Sequence, residues 1–458
     1  MGARAAPAGE GGPYDILSSI EDAALMVHVV DGAHLRGTRC GRLLLELGGG
    51  ISRFDDLGRR WQELAHQLRM SEDEAFDALL GSSCGLVRDT LGPEGTWVVL
   101  TRVSEKTARR VLSGLRSVPK SAVEGVPVVA IESGRIHAAV ISRGRTALLV
   151  LGERTDTALF QEVLAGARVP RRDRVEPAGS VHLRLRGLDG FDGEIVCDVL
   201  PTGEGARVEA SLAGGGLRRL LSGIPAGGSA LPSLASENGA LLGLAAFVDM
   251  RQFEGVLGVP GVVRAREDHP GLSEFGPAAF MRICGEGGTR VQMGVQIRHP
   301  MLSADKGDAL LSSLMARLSG TRMGAGDFGG LAPRAIRIAD VGRIEGLSEA
   351  GGRLAWTYRG PDAKGRSWML AEFGDDSSEI PSLRERFDEV LRVLGKGSGQ
   401  AKAVAMGWAR VGELIARAGS RPAAPGLARA LSMIERASLL VLREGPQQVR
   451  IHADLSIP

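Results

Sequence analysis

Residues 23–37 read AALMVHVVDGAHLRG, and residues 241–255 read LLGLAAFVDMRQFEG. In each stretch an apolar run of strand length ends at an aspartate, and residues able to start a helix follow. Asp31 and Asp249 stand at N-cap positions, where a carboxylate accepts from backbone N–H groups that the helix leaves unpaired. The two stretches align with an offset of 218 residues, from Val30 to Val248. Four further matches follow in the same order: 112–115 with 311–314, 134–136 with 342–344, 160–164 with 387–391, and 207–212 with 450–455. Ordered self-similarity is the mark of an internal duplication. The expected fold is therefore α+β: two tandem related copies, each a mainly antiparallel β-sheet with helices packed on one face. A disordered leader over 1–14, a first copy over 15–228 and a second over 229–458 complete the expected division, with Gly and Pro clustered at 224–229.

The segments around these matches supply the elements. Ser71-Glu-Asp-Glu74 is a capping box. Trp97 to Val103 reads as a strand, and Ser104 then caps a helix whose apolar positions Ala108, Val111, Leu112 and Leu115 keep helical spacing. Strands are expected at 126–131, 136–141 and 146–151, the last two joined by Arg143-Gly144-Arg145. A helix over 157–165 precedes alternating strands at 181–185, 194–199 and 207–212. The second copy adds a hairpin over 353–373 and ends on strands at 439–443 and 449–457. Such short hairpin connections favour antiparallel pairing.

The composition narrows the function. The chain has 458 residues, 65 of them glycine and only two tyrosine. Six lysines leave 50 of the 56 basic residues as arginine, a bias that codon choice in a GC-rich genome explains. Fifty-six basic against 54 acidic residues give a net charge of +2. Nothing global draws a polyanion, so no nucleic-acid partner is expected. No apolar run approaches the roughly 18 residues of a spanning helix, so no transmembrane segment is expected. The opening MGARAAPAGEGGP carries no apolar h-region, so this sequence shows no signal peptide. Cys40, Cys84, Cys197 and Cys284 are dispersed without CxxC spacing, and the eight histidines include no HExxH. No metal site, cofactor or catalytic residue is therefore assigned.

Motifs of catalytic appearance fail on context. Gly324 to Gly329 fits GxGxxG but follows a helical segment where a dinucleotide site needs a strand. Ser117-Val-Pro-Lys120 and Ser303-Ala-Asp-Lys306 fit SxxK, but no KTG accompanies them. Two clusters are candidate sites. Trp356, Tyr358 and Trp368, on facing hairpin strands in an aromatic-poor chain, are a candidate partner-binding patch, with hairpin or core packing as the competing role. Arg168, Arg171, Arg172 and Arg174 are a candidate anion-binding stretch, with a solvated connector as the competing role.

Through Ala23 to Leu35, Trp97 to Leu115 and Gly239 to Phe253, the chain resembles an uncharacterised bacterial family, domain of unknown function 3352. The resemblance implies an extracytoplasmic protein without enzymatic activity. The expectation is a non-catalytic binding or scaffolding protein of the cell envelope, with an unknown protein or small molecule as partner. The alternative is a hydrolase or acyl transferase with its site in a cleft between the copies. A converging His–carboxylate pair would favour the enzyme, and an apolar face would favour the binding protein.

Overall fold

The computed structural model describes residues 12–50, 68–92, 94–114, 118–123, 125–131, 136–169, 179–188, 191–222, 240–247, 275–285, 290–297, 334–338, 341–345, 353–359, 365–374, 385–390, 402–418 and 431–458, together with positions 62, 65, 66, 224 and 392. The chain divides into two compact units. Unit 1 comprises 1–216, 415–435 and 450–458, and unit 2 comprises 217–414 and 436–449.

Unit 1 opens with helix α1 (Pro13–Leu17), strand β1 (Leu25–Val29) and helices α2 (Gly32–Gly37), α3 (Arg39–Gly50) and α4 (Glu72–Leu79). Strands β2 (Cys84–Arg88) and β3 (Trp97–Ser104) lead into α5 (Glu105–Gly114). Strands β4 (Val118–Val123), β5 (Val126–Ile131), β6 (Ile136–Arg143) and β7 (Thr146–Gly152) precede α6 (Ala158–Arg168). Three long strands, β8 (Val181–Leu188), β9 (Phe191–Pro201) and β10 (Gly205–Gly214), are followed by α7 (Gly215–Ser222). Unit 2 holds β11 (Ala240–Phe247), β12 (Phe275–Cys284), β13 (Arg290–Ile297), β14 (Arg334–Ile338), β15 (Val341–Glu345), β16 (Arg353–Arg359), β17 (Ser367–Gly374) and β18 (Ala403–Ala409). Helix α8 (Val411–Ala418) and β19 (Arg436–Gly445) follow, and β20 (Gln448–Ser456), most of which belongs to unit 1, pairs with β10.

Local chemistry places these elements as read. The Asp31 carboxylate accepts from His34 N at 2.9 Å and caps α2. Ser71 and Glu74 form the reciprocal capping box that opens α4. Ser104 Oγ accepts from Thr107 N at 3.0 Å at the start of α5. Gly144 takes φ +68° in the turn from β6 to β7, a conformation that glycine adopts without a Cβ clash.

The expected fold class needs correction. Antiparallel strands dominate the described residues, the helices are few and short, and those of unit 1 lie on both faces of its sheet. The result is not a pair of α+β copies, each with helices on one face. The strand order in unit 1 is β4-β5-β6-β7-β3-β2-β1-β8-β9-β10-β20, and every described register is antiparallel. Unit 2 runs β14-β15-β16-β17-β13-β12-β11-β18-β19, an order that parallels β4 to β9 of unit 1.

The reason lies in the covering of each sheet. In β7, Ala147, Leu148, Leu149 and Val150 are all buried. A continuous apolar run of strand length fits burial on both faces, whereas a half-solvated strand alternates. Leu148 packs with Ile16 and Leu17 of α1 and Phe160 and Leu164 of α6. Leu149 packs on the other side with Leu79 of α4 and Ala108 and Val111 of α5. The hairpins indicated antiparallel pairing but said nothing about how many faces the helices cover. In unit 2 one sheet face carries a core of Ala245, Phe247, Phe280, Trp368 and Leu370, closed by Phe387 and Val390 of the helical residues 385–390. Among the described residues no helix is long and apolar enough to cross a membrane.

Candidate functional site

Within the described residues, several titratable side chains converge beneath α1. His28 sits mid-strand in β1, opposite His182 of β8 on one side and Gly85 of β2 on the other. Period-two alternation turns both imidazoles toward the face that α1 covers. A Cβ at Gly85 would run into the Leu17 side chain and the Val27 carbonyl, so glycine there allows α1 to approach the sheet. Tyr14 of α1 stands over both imidazoles, with centroids 5.1 Å from His28 and 5.2 Å from His182.

The two histidines differ in their partners. His182 Nδ1 lies 2.8 Å from Asp198 Oδ1, its neighbour across the β8–β9 ladder. His28 is 2% exposed, and its Nε2 lies 2.9 Å from Ser83 Oγ, just before β2. His28 Nδ1 is buried with no hydrogen-bond partner. Burial first, and the facing His182 second, hold the His28 pKa down to about 4, so the ring is neutral at pH 7. Burial, then the Asp198 charge, raises the pKa of the Tyr14 phenol. Arg184, two residues on from His182, fastens α1 by donating to Ser18 O at 3.2 Å and Ile20 O at 2.6 Å. Arg186 ties the same region through Glu21 O while pairing with Glu194 at 2.7 Å.

This arrangement resembles two halves of a hydrolytic triad that do not join. Ser83 meets His28, but no carboxylate meets His28 Nδ1. Asp198 meets His182, but no described nucleophile is bonded to that ring. A relay needs nucleophile, base and carboxylate in one line. Sequence reading missed the cluster because its members are 154 residues apart, from His28 to His182, and only register brings them together. A signal was present: His28 interrupts a strand that is otherwise apolar throughout.

The candidate residues read from sequence fall elsewhere. Trp368 is fully buried in the unit 2 core, 5.8 Å from Phe280, with the Arg366 guanidinium over its ring at 5.2 Å. Register sets Trp356 opposite Ala371 and Tyr358 opposite Met369, and it pairs Trp368 with Arg359. Trp356 and Tyr358 therefore share one face of the hairpin, and Trp368 points to the other. Trp356 is 2% exposed. Arg168 ends α6 on the surface, while Arg171, Arg172 and Arg174 lie outside the described residues, as do Ser117, Ser303, Lys306 and 324–329. Lys120 lies on strand β4, where the SxxK pattern would need a helical turn. Cys40, Cys84 and Cys284 are buried thiols, and burial pushes Cys84 up to about 11.

Unit 2 contains a second buried polar group and an exposed apolar one. Glu372 accepts from Gln292 Nε2 at 2.8 Å and from Arg386 Nη2 at 2.7 Å, which joins the helical residues 385–390 to the sheet. On the opposite face, a cross-strand row runs Leu439, Gly407, Leu244, Met281, Met293, Ala371 and Trp356. Leu439 and Leu244 are 36% exposed and Met293 is 40% exposed; Phe373, one row along the same face, is 36% exposed. The chain matches no protein-family model, no curated protein and no solved structure.

Proposed function

We propose that the protein is a non-catalytic binding protein that engages a partner protein through the exposed face of the unit 2 sheet. The observation that carries this reading is the row of Leu439, Leu244 and Met293, with Phe373 beside it. With strands about 4.8 Å apart, the exposed positions extend roughly 24 Å across the sheet from β19 to β17. That span is broad for a small molecule, which usually sits in a concave pocket, and it suits a protein surface. Methionines add adaptable, polarisable contact area. An envelope setting, implied by the resemblance to domain of unknown function 3352, belongs to the same proposal.

The test pairs a hydrophobic dye with site-specific photo-crosslinking. The folded chain should enhance the fluorescence of an anilinonaphthalene sulfonate, and Leu244→Glu with Met293→Glu should abolish the enhancement while leaving circular dichroism unchanged. A photoreactive residue at 293 should give one discrete adduct that Leu244→Glu removes. A dark dye with the folded wild type would mean that the chain covers this face itself, and the reading would fall.

An enzyme remains the second reading because of His182–Asp198 and Ser83–His28. The unjoined halves weigh against it. Turnover of an activated ester that Asp198→Asn and Ser83→Ala both abolish would reverse that judgement.

A further inference from the structure

The cluster beneath α1 joins an ionisable core to a helix that cannot stand alone. α1 has five residues, far below the roughly 12 that an isolated helix needs in water. It is held by Ile16 and Leu17 in the core, by the Arg184 and Arg186 bonds, and by Tyr14 on the paired imidazoles.

The groups around His28 are set for its neutral form. From α1 it faces Tyr14 and Asp15 and from β8 His182, with Arg184 on the next rung of the same face, opposite Met26. Asp198 of β9 lies behind His182, and Arg102 of β3 reaches Gly12 at the start of α1. Neither nearby carboxylate is spare: Asp198 is bonded to His182, and Asp15 Oδ2 accepts from Gly12 N at 2.6 Å. A proton arriving on His28 would therefore create a buried cation with no hydrogen-bonded counter-ion, sealed by Tyr14. The charge of Asp15 favours that cation, but burial and the facing His182 outweigh it. Water is the nearest relief, and the element between the imidazoles and water is α1.

We propose that the Tyr14–His28–His182 stack is an acid-sensitive latch, and that a proton on His28 lifts α1 from the sheet while the central strands stay paired. The inference is independent of the binding role assigned to unit 2. Its geometric basis is the register pair His28 and His182, the unpartnered Nδ1, and the placing of Tyr14 on the least self-sufficient helix. The depressed basicity of His28 supports it.

Hydrogen exchange on the full-length chain tests the latch. Between pH 7 and 4, after correction for intrinsic rates, amides 17–20 should lose protection by roughly 100-fold, while those of β7 remain better protected than they are at every pH. His28→Gln keeps a side-chain amide near Ser83 but takes no proton, and it should shrink the loss to about twofold. The proposal falls if the variant keeps the full acid response, or if β7 opens together with α1. Should His28→Gln fail to fold, the wild type decides: the His28 ring signal must titrate at the pH where α1 opens, and separate midpoints would refute the latch.

Discussion

In unit 1, adjacent residues of β7 are both buried, Leu148 against α1 and α6 and Leu149 against α4 and α5. In unit 2, adjacent residues of β11 divide, Ala245 into the core and Leu244 into solvent. The two sheets follow parallel strand orders and differ in what lies on them. Their central ladders differ too. The α1-facing rungs of β1 and β8 are Met26 with Arg184 and His28 with His182, whereas the core-facing rungs of β11 and β18 include Ala245 with Met406. A shared order of antiparallel strands therefore leaves the chemistry of each face open, because backbone ladders fix register and not side-chain identity. Buried polar groups are handled differently as well. Glu372 has both a guanidinium and an amide, while one His28 nitrogen has no partner.

The largest expected effects test whether both cores depend on a phenylalanine from the helix that closes them. Phe160→Ala and Phe387→Ala each remove a fully buried ring and should each cost about 3–5 kcal/mol in urea unfolding. A cost confined to one of them would break the parallel between the cores. Next comes acid. His28 titrates at about 4 when folded against 6.5 when unconstrained, so the unfolded chain takes up the proton first as pH falls. Its contribution is whole above about pH 6.5 and is lost progressively toward pH 4, amounting to about 3 kcal/mol in unit 1. Exchange-detected stability of unit 2 should lack this step.

The contrast between faces gives smaller effects. Leu149→Ala should destabilise by about 2 kcal/mol more than Leu244→Ala, because only the former leaves a cavity in a packed layer. Equal costs in thermal melts would mean that the outer face of unit 2 is as closely packed as that of unit 1. Smallest of all, Met293→Ser should shift stability by no more than about 0.5 kcal/mol while weakening crosslinking from that face.

Much of the local structure was legible in the amino-acid order. Asp31, Ser71 and Ser104 marked helix starts because a side-chain oxygen three residues before a free N–H is a local device. The β6–β7 and β16–β17 hairpins were visible for the same reason. Short-range signals did not reveal the covering of both faces of the unit 1 sheet, although the unbroken ALLV of β7 carried that information. The candidate aromatic patch shows the limit clearly. Counting residues cannot tell that Trp368 sits on the opposite side of the hairpin from Trp356, since one position of register reverses a strand's faces.

By itself, then, the sequence determined many of the segments that extend or coil and where several caps stand, since those choices rest on neighbours within a few bonds. It did not reveal α1, β2 or β4. Only the tertiary structure decided that His28 meets His182, that Asp198 serves one imidazole and not the other, and that a five-residue helix closes over them. Among those contacts, His28 with His182 and Tyr14 with His182 join residues more than 150 positions apart. Their energies depend on burial and on pairing across strands, which no local pattern encodes.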